Sequence, residues 1–327
     1  MHLLKSLAQV LTLLPLSIFA ADEGYRLKNP DAQQCENTQR KAGRNPDFIG
    51  ECGSIINLNL MGRDFTSANL KGAYFINSQL LKAKFHNADL TGGIAKGTDF
   101  TEADFTGAKL KHFRIETNEQ NNFTRANFEG ADLTNIDLYG TPGGFIEFQK
   151  ANMKKANLSD SMIYGNFNFA NFTQAKGNRA KMYGKYVAAD FSNADFRQAQ
   201  MGDSEMRSVQ FYEADFSSAS LPRTDFSGAF FIGSNFSRAN LSDSKLMGAR
   251  LYGADFSHAN LMRAVLSSAH IRGADFRGAL LCGADLRQID IQFGILLSGA
   301  QYNSQTQLPF NDDAAERQGM KKVQSCQ

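Results

Sequence analysis

The sequence predicts an all-β solenoid, a chain wound into stacked coils, and three observations carry that prediction. The first is a period of five. Stepping by fives from Phe191 lands on Phe196, Met201, Met206, Phe211 and so on to Leu296, 22 positions that are all apolar. Against a background of about 45% apolar residues, chance gives such a run about 10⁻⁸ of the time. The second is the place two residues earlier, which is usually small and is Ala in 15 of the 22 cases. The third is a longer echo. Core Phe residues between Phe191 and Phe276 recur at a separation of 20 six times, and at 15 and 25 three times each. Four repeats per coil fit that echo best.

A period of five suits neither regular element. On a helix it spreads the apolar residues around the whole wheel. On a straight strand it sends successive apolar residues to opposite faces, because five is odd. One core can collect them only if the chain turns a corner in every repeat. The small and the large residue, two apart, then point inward from one short extended piece. The other three face water, and Asp, Asn, Ser and Gly fill them as turns require. With four repeats per coil, Phe196, Phe216, Phe236, Phe256 and Phe276 form one interior column, coils about 4.8 Å apart. Aromatic neighbours of that kind add about 0.5–1.5 kcal/mol per pair beyond burial.

The unit Ala-(Asp/Asn)-(Leu/Phe)-x-x, as in Ala214-Asp215-Phe216-Ser217-Ser218 and Ala254-Asp255-Phe256-Ser257-His258, resembles the pentapeptide-repeat proteins. The resemblance implies a right-handed quadrilateral β-helix. It specifies fold far more than function, since the family includes DNA-mimicking topoisomerase inhibitors beside many members of unknown role.

The elements follow in chain order. Residues 1–20 read as a secretory signal peptide, with Lys5 before an apolar run at 7–19 and Ala20 at the cleavage point. Gln9, Pro15 and the short run argue against a permanent membrane span, and no other segment could cross a bilayer. The expected location is periplasmic or secreted, where disulfides persist. Residues 21–54 are polar, lie outside the repeat and read as an N-terminal cap. They hold Cys35 and Cys52, which are expected to pair; a Cys282–Cys326 bridge would pin the tail to the coil. Free thiols at the second pair are the alternative.

Residues 55–187 form a first solenoid block with register breaks. Its core set runs Ile55, Leu60, Phe65 and onward to Ile115, and the weak segment 91–97 keeps the step. The set Phe123 to Ile163 is then displaced by three, and Phe167, Phe172, Met182 and Val187 by one more. Each break is expected to need a bulge or loop, at 116–122, 163–167 and 175–189. Residues 139–147 keep the step but contain Gly140-Thr141-Pro142-Gly143-Gly144, a protruding turn. Loops on a rigid scaffold are where function usually sits, and they are also where insertions are merely tolerated. Residues 188–298 form the regular block. Residues 299–327 form a C-terminal cap and tail. There, 301–310 is a closing strand or loop and 311–322 a short helix, with Asn311 as N-cap, acids in the first turn and Gly319 as the stop. It covers an open edge that otherwise invites aggregation.

Composition narrows the function. The chain has 327 residues, 21% charged, and a net charge of +2, which gives no drive toward nucleic acid or anionic membranes. The histidines, His2, His86, His112, His258 and His270, are scattered, and no metal, phosphate-loop or nucleophile motif is present. Neither a cofactor nor a catalytic group is called. The triplets at Asn122, Asn157, Asn171, Asn235 and Asn240 arise from the repeat itself. Asp195, Asp215, Asp255 and Asp275 share one face with Asn235, and two readings compete there: an acidic ladder imitating DNA phosphates, or Asp residues building corner turns. Arg197, Arg238, Arg277 and His258 lie on the same face, and 189–298 holds 12 acidic against 10 basic residues. The field nearly cancels, which favours the turn reading.

Another face carries Tyr212, Phe230, Ile232, Arg250, Tyr252 and Arg272 at outward positions. Aromatics beside Arg are what interface hot spots contain; a decorated β-surface is the plainer reading. Three function classes remain. The first is a non-enzymatic exported scaffold binding a protein, a cell-envelope component or a second copy of itself. The second is a topoisomerase-binding DNA mimic. The third is a carbohydrate-active β-helix enzyme, which needs carboxylates and aromatics clustered in a groove that the uniform repeat does not reveal.

Overall fold

The structure, a computed structural model, describes residues 55–116, 121–138, 146–289 and 294–326. Over them the chain is a right-handed quadrilateral β-helix of about 13 coils, with one short helix near the C-terminus. The pentad Ala214–Ser218 shows how the sequence dictates this. Ala214 and Phe216 are both buried. Ser218 sits at φ 60°, and the Ala219 N–H donates to the Phe216 carbonyl at 3.0 Å, the signature of a type II turn. Between the two inward residues, Asp215 pairs with Asp195 on one side and Asn235 on the other. The Phe216 N–H donates to the Asn235 carbonyl of the next coil at 2.7 Å. Each repeat therefore spends its backbone groups on neighbouring coils and turns a corner, which is the one way a period of five can face a single core.

Four walls result, A to D in winding order. Wall A carries the inward residues Phe75, Ile115, Ile163, Met182 and Met201. Wall B carries Phe100, Phe123, Phe148, Phe167 and Tyr186, and wall C carries Phe105, Phe128, Phe172, Phe191 and Phe211. Wall D carries Leu110, Leu133, Phe196 and Phe216. The interior is columns of rings. Phe196, Phe216, Phe236, Phe256 and Phe276 stack at 5.4, 5.1, 5.5 and 5.4 Å between centroids, as the separation of 20 predicts. On wall B, Phe100, Phe123, Phe148, Phe167 and Tyr186 stack at 4.8, 5.1, 4.7 and 5.1 Å. The weak segment 91–97 holds its coil. Strands β1 (Ile55–Ile56), β2 (Tyr74–Ile76), β3 (Ile94–Lys96), β4 (Arg114–Glu116) and β5 (Asp137–Leu138) pair in parallel one after another, β6 (Ile146–Glu147) follows in the chain, and Ala95 in β3 is fully buried.

The register breaks differ from expectation. The steps at 163–167 and 175–189 are not loops. They are five-residue strands, β7 (Met162–Asn166) and β8 (Lys181–Lys185), paired in parallel over their full length. Each straightens one corner and shortens its coil to 19 residues, as the Phe148–Phe167 and Phe167–Tyr186 stacks record. The second break therefore comes just after Met182. Tyr186 takes the inward place and is fully buried, whereas Val187 points outward. A bare backbone makes this possible. Gly184 has φ 136°, and a Cβ there would meet the Gly165 carbonyl oxygen at 2.0 Å.

At the C-terminal end the step of five also fails sooner than predicted. Leu296 is 45% exposed and bridges the outward Asp275, while Ile295 and Leu297 are buried. One residue added between Leu286 and Leu297 shifts the phase. The cap is shorter than the 311–322 expected. Helix α1 spans Asp312–Arg317, with the Asn311 side chain accepting from the Ala314 N–H and Gly319 at φ 77°. Strand β10 (Lys321–Lys322) then pairs with β9 (Gln301–Tyr302). A Cys282–Cys326 disulfide fastens the tail to wall A. The signal segment 1–20, the cap 21–54 with Cys35 and Cys52, and most of the 116–122 and 139–147 segments lie outside the described residues.

Candidate functional site

The predicted aromatic set falls on wall C as two adjacent outward columns. Gln210, Phe230, Arg250 and His270 follow one another by parallel bridges. Tyr212, Ile232, Tyr252 and Arg272 follow in the neighbouring column, linked by backbone bonds such as Gly233 N–H to Tyr252 carbonyl at 3.0 Å and Gly253 N–H to Arg272 carbonyl at 3.0 Å. The structure thus brings all six predicted residues together over four coils. The Arg250 guanidinium carbon sits 4.9 Å from the Phe230 ring centroid, a cation–π pair. Tyr212 and Phe230 lie 6.2 Å apart, as do Tyr252 and His270. Tyr252 and Arg250 are exposed; Tyr212, Phe230 and Ile232 are half-buried.

The Asp ladder on wall D resolves into turn chemistry. Asp215, Asp255 and Asp275 each accept from the N–H two residues on, at 2.9, 2.8 and 2.9 Å. Arg197 reaches Asp195 at 2.8 Å and Asp215 at 4.0 Å, and Arg277 reaches Asp275 at 2.6 Å. The Arg277 hydrogen bond holds the Asp275 carboxyl below the usual carboxylate range. Asp195, Asp215 and Asp275 are thus neutralised in place, so the wall presents no sustained anionic field.

A second feature lies on wall A, opposite the aromatic patch. A trough of about 560 Å³ is lined by Met162, Tyr164, Lys181, Tyr183, Gly184, Lys185, Gly202, Asp203 and Glu205. It adjoins another of about 500 Å³ bounded by Asp160, Arg179, Gln198 and Gln200, with Met162 and Lys181 shared. Its carboxylates are engaged. Asp160 makes a two-pronged pair with Arg179 at 2.7 and 2.7 Å, and Asp203 one with Arg223 at 2.6 and 2.6 Å. Those Arg hydrogen bonds lower both carboxyl pKa values. A glycosidase acid needs the opposite shift. Among the described residues no group of three or more His, Cys, Asp or Glu side chains is placed to hold a metal ion, and no helix is long and apolar enough to cross a membrane.

The model of the family described as pentapeptide repeats matches in eight copies, over 59–94, 83–114, 119–141, 189–228, 214–253, 224–261 and 249–288, together more than half of the chain. The chain belongs to the pentapeptide-repeat family. Among solved structures it is similar to HetL, a pentapeptide-repeat protein involved in heterocyst differentiation regulation from Nostoc sp. strain PCC 7120. That match has 22% identity, covers 81% of this chain and 93% of that one, and has a TM-score of 0.30. It is similar to QnrB1, a plasmid-mediated fluoroquinolone resistance protein, at 20% identity, 73% and 93% coverage and TM-score 0.32. It is also similar to a pentapeptide-repeat protein from the Arabidopsis thaliana thylakoid lumen, at 25% identity, 43% and 77% coverage and TM-score 0.21. No curated protein matches.

In this pentapeptide-repeat chain the wall A trough is what sequence reasoning missed. Its signal is present: Met162-Ile163-Tyr164-Gly165-Asn166 and Lys181-Met182-Tyr183-Gly184-Lys185 are two versions of one apolar-Tyr-Gly-polar string, 19 residues apart. Treating the breaks as loops hid the fact that the two strings pair residue for residue.

Proposed function

We propose that this chain is a non-enzymatic scaffold, exported to the periplasm or the extracellular space, that binds a protein partner through wall C. The observation that carries the reading is the contiguous patch of Tyr212, Phe230, Arg250 and Tyr252, with the Arg250 guanidinium laid on the Phe230 ring. Isolated exposed rings are ordinary, but a joined patch with an Arg is the composition of an interface centre. The signal-like segment 1–20 supports export. A second copy of the chain is one form the partner takes under this reading.

The proposal includes no catalysis, because Asp160 and Asp203 beside the wall A trough are held ionised by Arg179 and Arg223. The test is the variant Tyr212→Ser, Phe230→Ser, Tyr252→Ser compared with the parent chain, by mass in solution and by capture from cell-envelope extracts. Loss of a defined complex in the variant supports the reading. Association of every kind left unchanged removes it. Capture of a topoisomerase by a cytoplasmic form of the chain would instead favour the DNA-mimic class, against which the neutralised wall D argues.

A further inference from the structure

The four register breaks of the first eight or so coils fall at a single corner, the one between walls A and B. The step there is Ile115 to Phe123, then Leu138 to Phe148, then Ile163 to Phe167, then Met182 to Tyr186. All other corners from Phe75 to Leu286 keep the step of five. The coil-to-coil pairings record it: Asp99 bridges Asn122, Asn122 bridges Glu147, and Phe148 stacks on Phe167. Two lengthened corners are followed by two shortened ones, and the wall A trough lies across the shortened pair.

The trough has a floor, an aromatic side and a charge. Gly184 and Gly202 supply bare backbone as floor, and a Cβ on Gly202 would strike the Pro222 ring at 2.9 Å. Tyr164 and Tyr183 are register partners on adjacent coils, both half-buried on the outer side of wall A. Lys181 stands between the two hollows and makes no ion pair within 4.0 Å among the described residues. The three carboxylates of the lining each have an Arg partner, Asp160 with Arg179, Asp203 with Arg223 and Glu205 with Arg207, and Lys181 is a lining cation outside those pairs. Strands β7 and β8 beneath the trough each have five residues, about 17 Å of extended chain.

We infer that this trough is a binding site for an acidic oligosaccharide, one whose sugar rings lie on Tyr164 and Tyr183 and whose carboxylate meets Lys181. A pyranose ring offers an apolar face of C–H groups and a rim of hydroxyls. The face suits a tyrosine ring, and the rim suits the amides of Gln198 and Gln200 at the edge. An extended peptide fits less well. Strand addition needs an unpaired backbone edge, and the backbone here is already committed. The Lys181 N–H donates to the Ser161 carbonyl at 2.8 Å, the Glu205 N–H to the Gly184 carbonyl at 2.9 Å, and the Gly184 N–H to the Ser204 hydroxyl at 3.3 Å. Recognition has to come from side chains, and these are rings, amides and ammonium groups. The site is on the wall opposite the aromatic patch and does not depend on the protein-binding reading.

The test is calorimetry on the full chain at about 0.15 M salt, a strength that screens long-range charge. The probes are oligogalacturonate, neutral malto-oligosaccharide and polyaspartate. Oligogalacturonate is expected to bind at least about tenfold more tightly than either of the others. Tyr183→Ala and Tyr164→Ala are each expected to weaken it by about tenfold. Lys181→Gln should bring the acidic and neutral sugars to similar affinity. Far-UV circular dichroism controls for folding; should a tyrosine variant unfold, Tyr183→Phe and Lys181→Gln decide. The wall C variant Tyr212→Ser, Phe230→Ser must bind oligogalacturonate like the parent. Absence of oligogalacturonate binding overturns the proposal. So does polyaspartate binding of equal strength that ignores the tyrosines, since it reports charge alone.

Discussion

Phe230 and Phe231 are adjacent in sequence and opposite in fate, and replacing each by Ala measures what the five-residue period is worth. Phe231 is fully buried, stacked at 5.0 Å on Phe211 and edge-on at 5.0 Å to Phe236. A Phe ring of that kind buries about 200 Å². At about 25 cal/mol/Å² this gives about 5 kcal/mol as an upper estimate. Core Phe→Ala changes cost about 3–5 kcal/mol, cavity included. Phe231→Ala is therefore expected to destabilise by about 3–5 kcal/mol. Phe230 points outward over Arg250, and its loss removes a half-exposed contact and one cation–π pair, within about 1 kcal/mol. The sequence has no Trp, so the assay is far-UV circular dichroism in guanidinium, read beside amide hydrogen exchange. A solenoid is coupled mainly between neighbours, so exchange in Phe231→Ala should quicken first in the coils of Phe211 and Leu251 and last near Phe85. Equal destabilisation by the two changes, or a loss below about 1 kcal/mol for Phe231→Ala, would refute the placement of inward and outward residues.

Other outcomes follow from the same geometry. Tyr186→Phe should raise stability by about 1 kcal/mol by denaturant unfolding, because it removes a buried hydroxyl that has no hydrogen-bond partner while keeping the ring stack. Gly184→Ala should cost about 2–3 kcal/mol or block folding, since a Cβ at φ 136° meets the Gly165 carbonyl; thermal unfolding reads it. Reduction of Cys282–Cys326, or Cys326→Ser, should lower stability by at most about 4 kcal/mol, the chain-entropy value for a separation of 44 residues. Its loss should appear in hydrogen exchange of β9, β10 and the last coils before the N-terminal ones. Acid should also destabilise. Asp275 and Asp285 have folded pKa values depressed by hydrogen bonds from Arg277 and Arg287. Their contribution is complete above the unfolded carboxylate value near 4 and is lost as pH falls through the lower folded values. A melting series from about pH 5 to pH 2 should therefore slope downward, and less steeply in Arg277→Ala with Arg287→Ala.

How much of this was legible in the sequence varies with how local the information is. The pentad carries its own proof, because Ala214, Phe216 and Ser218 each fill one role and the same roles recur. That was enough for the fold, the ring column from Phe196 to Phe276 and the Asn311 cap. The patch on wall C was legible too, since a separation of 20 places Tyr212, Ile232 and Tyr252 in one column. The errors lie where the period changes. Val187 is apolar and a fifth residue on, yet Tyr186 takes the core because β8 straightens its corner and drops one residue. Leu296 is likewise apolar and in step, but an added residue before it turns it outward and buries Ile295 and Leu297. Apolar neighbours such as these make a shift of one invisible to pattern. Pairing across coils decides which residue faces in: Gly165 with Gly184 for Tyr186, and Asp275 with Leu296 at the C-terminal end.

The same reasoning explains why the changes of length share one corner. Ring columns on walls C and D demand that every coil return to the same phase, so a change of length at any corner must be absorbed before the next wall. A corner that can lengthen into a loop or flatten into a strand absorbs it locally. From Phe85 through Phe105 and Phe128 the wall C rings stay stacked at 4.8 and 4.8 Å although three residues enter the coil between them. Up to Leu286, the A–B corner is thus the one place among the described residues where this solenoid departs from uniformity without disturbing its core. Independent insertions tolerated at random would have spread over all four corners. Their concentration, with two glycine-floored strands and a pair of register-matched tyrosines beneath them, makes that corner a built feature of the molecule and the first place to look for a ligand.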